Sequence, residues 1–316
     1  MLAAPDWVSL REQGEMVIHA PVRKRTKNSR EARLIAVILG GGLLILVVFF
    51  GLPMVDLVFT SLSRWSGVGD RVFVGGQNYL ALLSDPSVHD ALARSVTLGL
   101  GTAVGISLIA TVLAALVSGG IKGSNLYRVV WFLPAIAPPS AVAVFWALSV
   151  QPKSGVVNVV LGALGLGNDH AWLADPATAL WVVIAVAIWQ GAGFAFLVIL
   201  GAMEEVPVSI YEAAAIDGTG PVRQFFSITL PLIRPVLSMV LLLESIWAFN
   251  GFTLVWGMTE GGPGEATTIL PVQVYQEAFH LGHFGAAGAI SVVGGVLLLI
   301  VGFVGNWLGS RTAVDE

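Results

Sequence analysis

Cysteine is absent from all 316 residues, which removes disulfides, thiol nucleophiles and thiolate metal ligands at once. Charge is scarce too: 11% of residues are charged, against about 25% in an ordinary soluble domain. The five histidines are scattered, and only His280 and His283 stand three apart; with no third ligand in view they read as a solvated loop and give no metal site. A net charge of −4 offers no electrostatic footprint for nucleic acid, and no nucleic-acid motif occurs. The stretch GGIKGS from Gly119 to Ser124 lacks the spacing of a phosphate-cradling loop, so the chain cannot hydrolyse ATP by that mechanism. Neither a Gly-x-Ser-x-Gly elbow nor a His-Glu-x-x-His pair is present. Glu204 and Glu205 are adjacent, so on a helix they do not face each other, and they read as solvated charges. No catalytic residue is nominated.

What is abundant is apolar sequence, 56% of the chain. A bilayer core about 30 Å thick needs about 20 apolar residues per helix. Runs of that length predict an all-α, polytopic membrane protein with six transmembrane helices at about 34–60, 95–117, 129–150, 179–203, 236–258 and 286–308. Residues 1–33 form a basic tail, residues 34–310 the transmembrane domain and residues 311–316 a short C-terminal tail. The first apolar run is too long for a cleaved signal peptide and no small-residue cleavage site follows it. With the N-terminus inside, twelve of the sixteen Lys and Arg fall in inner segments, leaving Arg64, Arg71, Arg94 and Lys153 outside. The positive-inside rule then predicts that both termini and the 204–235 loop are cytoplasmic. Pro134, Pro138 and Pro139 remove three amide donors from the third run, so that helix is expected to break or kink.

The 204–235 loop, EEVPVSIYEAAAIDGTGPVRQFFSITLPLIRP, is too elaborate to be a simple connection. Ser209 and Glu212 have capping-box spacing, Gly218 can end the helix in the left-handed region, and Thr219 with Pro221 can start a second helix. Pro231 and Pro235 are expected to close that second helix.

The spacing of Glu212, Ala213, Ala214, Asp217, Gly218, Phe225, Ile228, Leu230 and Pro231 closely resembles the EAA loop of bacterial ATP-binding-cassette importer permeases. The segments FVGGQNYLALLSDP (73–86), SGVVNVVLGALGLG with WLADP (154–176) and GMTEGGPGEATT (257–268) resemble the sugar-uptake branch of that family, of maltose and glycerol-phosphate type. The resemblance implies a subunit of the bacterial plasma membrane that imports a carbohydrate by alternating access. It implies a second homologous permease, two copies of a nucleotide-binding ATPase that hold ATP and magnesium, an extracytoplasmic solute-binding protein, and no cofactor on this chain. Glu212, Ala213, Ala214, Asp217 and Gly218 would form the coupling helix that docks on the ATPase.

Polar residues inside spans are costly and mark pathways or interhelix contacts. Gln190 lies near the middle of the fourth run with Phe194 one turn on and Gly191 beside it; Trp247, Asn250 and Gly251 follow three- and four-residue steps along one face of the fifth. Amides that bond hydroxyls and rings that pack on C–H faces suit a sugar. In the maltose-type permeases, positions matching Gln190, Gly191, Phe194, Asn250 and Gly251 line the substrate pocket, although Gln190 and Gly251 differ in type from the family's residues. Glu244, the acid deepest in a span, could bond a partner subunit, contact substrate or serve an ion-coupled secondary transporter. That last fold class carries internal repeats, and none is visible.

Overall fold

A computed structural model describes residues 29–120 and 123–312. Most of the predicted basic tail, Lys122 and the last four residues of the C-terminal tail lie outside them. The chain divides into two units, Met1–Val55 and Asp56–Glu316. The described part of the first is helix α1 (Ser29–Leu46), a π-turn (Val47–Gly51) and the start of α2 (Leu52–Ser61).

The second unit continues with a two-residue hairpin, β1 (Ser63–Arg64) against β2 (Val72–Phe73), then α3 (Gln77–Ser84). Asn78 explains the Asn-Tyr of this segment. Its amide donates to the carbonyls of Ser61 and Ser63 at 2.8 and 3.0 Å, and the Tyr79 hydroxyl lies 2.6 Å from that of Ser61. Helix α4 (Pro86–Ser118) starts on Asp85, whose carboxylate accepts from Ser87 N at 2.9 Å, with Pro86 in the first turn where its missing N–H leaves nothing unpaired.

The proline-rich third run is broken. Helix α5 (Ser124–Ile136) and helix α6 (Pro139–Ser149) meet at 95° across Ala137 and Pro138. The next stretch, beyond the third apolar run, folds a helix of its own, α7 (Val156–Ala163), around fully buried Asn158. The Asn158 amide donates to Gln151 O at 2.9 Å and His170 O at 3.0 Å, and its carbonyl accepts from Trp172 Nε1 at 3.0 Å. Two of the sequence signatures are thus one hydrogen-bonded knot.

Helix α8 (Ala179–Glu204) runs unbroken and packs against α4, α5 and the later helix at Arg234–Phe249. One buried cluster unites Leu98 of α4, Val142 of α6 and Val183 of α8; another unites Ile106 and Ala110 of α4 with Phe196 and Ile199 of α8. The loop helices α9 (Val208–Ile216) and α10 (Pro221–Gln224) lead through a second π-turn (Phe225–Thr229) into α11 (Leu230–Leu232), then α12 (Arg234–Phe249) and α13 (Phe252–Thr259). Pro231 does not end the second loop helix as expected. The π-turn makes room for it, and the 68° bend falls at Ile233, before Pro235. The chain closes with α14 (Leu270–Tyr275), a third π-turn (Gln276–His280) and α15 (Phe284–Thr312).

Among the described residues, four helices are long and apolar enough to cross a membrane: Ala36–Ser61, Pro86–Ser118, Ala179–Glu204 and Phe284–Gly305. The bent pairs α5–α6 and α10–α12 raise the number to as many as six. The fifth run is where expectation and structure part. The continuous helix expected over 236–258 stops at Phe249 and restarts at Phe252.

Candidate functional site

A cavity of about 450 Å³ opens where the helix breaks come together. It is lined by all six of the residues singled out on the fourth and fifth runs: Gln190, Gly191, Phe194, Trp247, Asn250 and Gly251. Each is there for a local reason. Gln190 Nε2 donates to Ala137 O at 3.0 Å, the carbonyl that caps α5 immediately before the break. Inside a membrane such freed backbone groups must find partners within the protein, and this amide supplies one. Gly191 lets α8 approach its neighbours: a Cβ there would stand 2.4 Å from Ile106 Cδ1 and 3.4 Å from Glu244 Oε2. Phe194 and Trp247 pair on the cavity wall with ring centroids 5.6 Å apart.

Asn250 and Gly251 do not share a helix face with Trp247 as the periodicity predicted. Asn250 caps the end of α12, its Nδ2 donating to Ile246 O at 3.0 Å, and Gly251 begins α13. Both reach the cavity at the break, Asn250 through its side chain and Gly251 through its backbone.

Three further polar residues line the cavity, Thr102, Glu244 and Thr253. Thr102 is 3% exposed, and its hydroxyl has no hydrogen-bond partner among the described residues. Sequence reading passed over it, since the same run also carries Ser95, Thr97, Ser107 and Thr111 and nothing local sets Thr102 apart. Glu244 is 5% exposed, which leaves little surface for the intersubunit hydrogen bond considered from sequence. No Lys, Arg or His is among the lining residues. The arrangement can hold a polar ligand against aromatic faces; it offers no nucleophile beside a base.

The 204–235 loop forms a second, separate surface. Glu212, Ala213 and Ala214 lie on α9, with Glu212 and Ala213 exposed and Ile216 87% exposed. The expected capping box does not form. Pro207 occupies the N-cap position with no side-chain bond, so Ser209 already sits inside the first turn. The other end follows the sequence closely. Gly218 adopts φ +78°, its N–H reaches Ala215 O at 3.0 Å, and Thr219 N reaches Ala214 O at 3.0 Å, a Schellman cap beyond Asp217. Thr219 does not cap α10, where Gly220 stands at the N-cap. Its hydroxyl instead returns to Ala214 O at 2.5 Å, and Gln224 Nε2 donates to Thr219 O at 3.1 Å. The Tyr211 hydroxyl lies 2.9 Å from that of Thr229, tying α9 to the π-turn. Glu204 is not a free solvated charge: it forms an ion pair with Arg128 at the start of α5. At the other end of the molecule His283 Nδ1 lies 2.9 Å from Glu277 Oε2, and no cluster of three metal-ligating side chains occurs among the described residues.

Residues 103–312 match the family of binding-protein-dependent transport system inner membrane components. The probable ABC transporter permease protein YurN of Bacillus subtilis is 32% identical, over 79% of this chain and 87% of its own length. The sn-glycerol-3-phosphate transport system permease protein UgpA of Pectobacterium atrosepticum is 34% identical, over 82% and 88%. A bacterial ABC transporter that imports the acidic polysaccharide alginate shares the fold with a TM-score of 0.77 at 22% identity, over 90% of this chain and 96% of that one. The apolar helices and these matches together identify the chain as a multi-pass membrane protein of the binding-protein-dependent transport system inner membrane component family.

Proposed function

We propose that this chain moves a carbohydrate through the α4–α8–α12 cavity, as the permease subunit of an ATP-driven importer of the bacterial plasma membrane. The observation that carries the reading is the cavity itself. Two side-chain amides, a free hydroxyl and the Phe194–Trp247 pair meet where two helices are interrupted. Hydroxyls bond amides and a sugar's C–H face packs on an aromatic ring.

The chain is not an enzyme. ATP and magnesium belong to a separate ATPase, present in two copies, and this chain holds no cofactor. Helix α9 is the part that ATPase would grip. Its exposed Glu212, Ala213 and Ile216 form a small docking face, and the Schellman cap at Asp217–Gly218 fixes where the chain leaves it. The distribution of Lys and Arg supports a cytoplasmic place for that face and both termini. A second, homologous permease would complete the membrane unit, and an extracytoplasmic solute-binding protein, in keeping with the family's description, would deliver cargo from the opposite side. ATP-driven closure of the ATPase pair would move α9 as a lever and switch the cavity's access from outside to inside. Family membership leaves the ion-coupled alternative built on Glu244 without support.

Sealed proteoliposomes containing the whole complex and its binding protein are expected to accumulate labelled trisaccharide only when ATP is supplied on the ATPase side. Glu212→Lys is expected to abolish that uptake while the protein remains in the membrane. Accumulation driven by a pH gradient without ATP would overturn the proposal.

A further inference from the structure

Two segments singled out in the sequence, 154–176 and 257–268, contribute nothing to the cavity described above. They meet instead at a second cavity of about 500 Å³, at the end of α13 away from the Asn250–Gly251 break. The first segment supplies Trp172 and the second Thr259 and Glu260, while Gln151 and Trp256 stand beside them. The distribution of Lys and Arg supports an outer position for both segments.

This wall is fixed from behind. Trp172 Nε1 donates to Asn158 Oδ1 at 3.0 Å, and Trp256 stacks on Phe252 at 5.7 Å and meets Tyr275 edge-on at 4.7 Å. The Thr259 and Thr267 hydroxyls lie 2.6 Å apart, and Thr267 Oγ1 donates to Gly262 O at 2.8 Å. Glu260 ends α13 in the left-handed region at φ +53°, which a residue other than glycine holds only where its surroundings impose it. Against that rigid frame, Gln151 and Glu260 enter hydrogen bonds only through their backbone among the described residues. Their amide and carboxyl groups are left for a ligand.

The two cavities are neighbours that do not merge. Val255 lines the first and Met258 the second, and both belong to one buried apolar cluster with Val142 and Ala143 of α6. A Cβ on Gly257 would stand 2.7 Å from that of Ala143, so α6 and α13 touch there. A ligand in the second cavity is therefore held apart from the first.

We propose that the second cavity is a further carbohydrate-binding site, where cargo is received before the α6–α13 contact opens. Trp172 and Trp256 pack on the sugar's C–H faces, and Gln151 and Glu260 bond its hydroxyls. A concave site of this volume has the size of a small-molecule pocket, which favours a sugar over a protein surface as the occupant. The proposal rests on the carbohydrate reading above.

The test uses the full transporter complex in nanodiscs, without binding protein or ATP. It is photolabelled with diazirine derivatives of maltotriose, cellotriose and raffinose, and labelled peptides are mapped by mass spectrometry. At least one sugar is expected to label residues 147–152, 171–174 or 256–263, and the unmodified sugar to compete that label away. Glu260→Gln and Gln151→Ala, which break no side-chain bond in the wall, are together expected to cut it by about tenfold or more. Any label on residues 244–251 should stay unchanged. Competed label confined to 190–194 and 244–251 overturns the second site and leaves the carbohydrate reading standing. So does a folded double variant that keeps the full label on the second cavity. If the cavity takes no sugar and the same variants lose capture of the solute-binding protein, the surface is that protein's seat and the proposal fails. Competed label at neither cavity removes the carbohydrate reading as well.

Discussion

Gly193→Ala tests how closely the first half of the broken span rests on α8. A methyl carbon added at Gly193 would lie 1.9 Å from the Trp131 carbonyl oxygen, 2.7 Å from that carbonyl's carbon and 2.9 Å from Phe132 Cα. Ordinary contact begins at 3.4 Å, so the shortfall is 1.5 Å (3.4 less 1.9), and every atom in the way is backbone that no rotamer change can move. Helix α5 must therefore retreat bodily. Overpacking of this kind costs about 1–3 kcal/mol, offset in part by up to about 1 kcal/mol from the better helix propensity of alanine. Gly201 on the same helix is the internal control, since a Cβ there meets nothing within 4 Å. Thermal unfolding of the purified protein in detergent should show Gly201→Ala unchanged or slightly raised. Gly193→Ala should melt about 2–6 °C below Gly201→Ala, which gains the same helix propensity, at roughly 2 °C per kcal/mol for a chain of this size. Gly193 is also one turn from Gln190, so its shift carries the Ala137 break with it, and sugar uptake is expected to fall in parallel. If the two alanine variants melt together, the close seat of α5 on α8 is wrong.

Asn158→Ala should strand two carbonyls and the Trp172 indole N–H inside the α7 segment, for a loss of about 3 kcal/mol or more. Limited proteolysis is expected to cut residues 151–178 faster, and wild-type resistance would argue against the knot. Gln190→Leu removes the side-chain donor that reaches Ala137 O, and a drop of about 1–3 kcal/mol in stability together with weaker uptake is expected. Unchanged melting and uptake would show that the break does not need it. At Gly218 the surrounding space is open and only the left-handed backbone matters, so Gly218→Val should impair ATP-driven uptake more than Gly218→Asn. Equal uptake by the two variants would remove the backbone argument.

The features that sequence conveyed well are local. Apolar runs marked the helices, the prolines at 134, 138 and 139 marked the 95° break, and Gly218 marked the end of α9, because each acts on its own few residues. What was misread depended on a competing local signal or on distant parts of the chain. Asn250–Gly251 is a turn dipeptide inside an apolar run, and period counting overrode it. The capping box lost to Pro207, which fixes the start of α9 two residues before Ser209. The Arg128–Glu204 pair joins residues 76 apart, and Thr102 and Glu244 reach one cavity from different helices. No window on the sequence contains those contacts.

The proline break also has a bearing on how cargo preference can change. Pro139 has no N–H, so the carbonyl of Ala135, a lining residue, cannot receive its helical hydrogen bond. The interruption of α12 at Asn250 likewise leaves helix-end carbonyls close to the ligand space. Part of the cavity's polarity is therefore main chain, which side-chain mutation does not erase. Descendants of this protein could exchange lining residues one at a time, drifting between related polyols, and never pass through a form whose interior was wholly apolar.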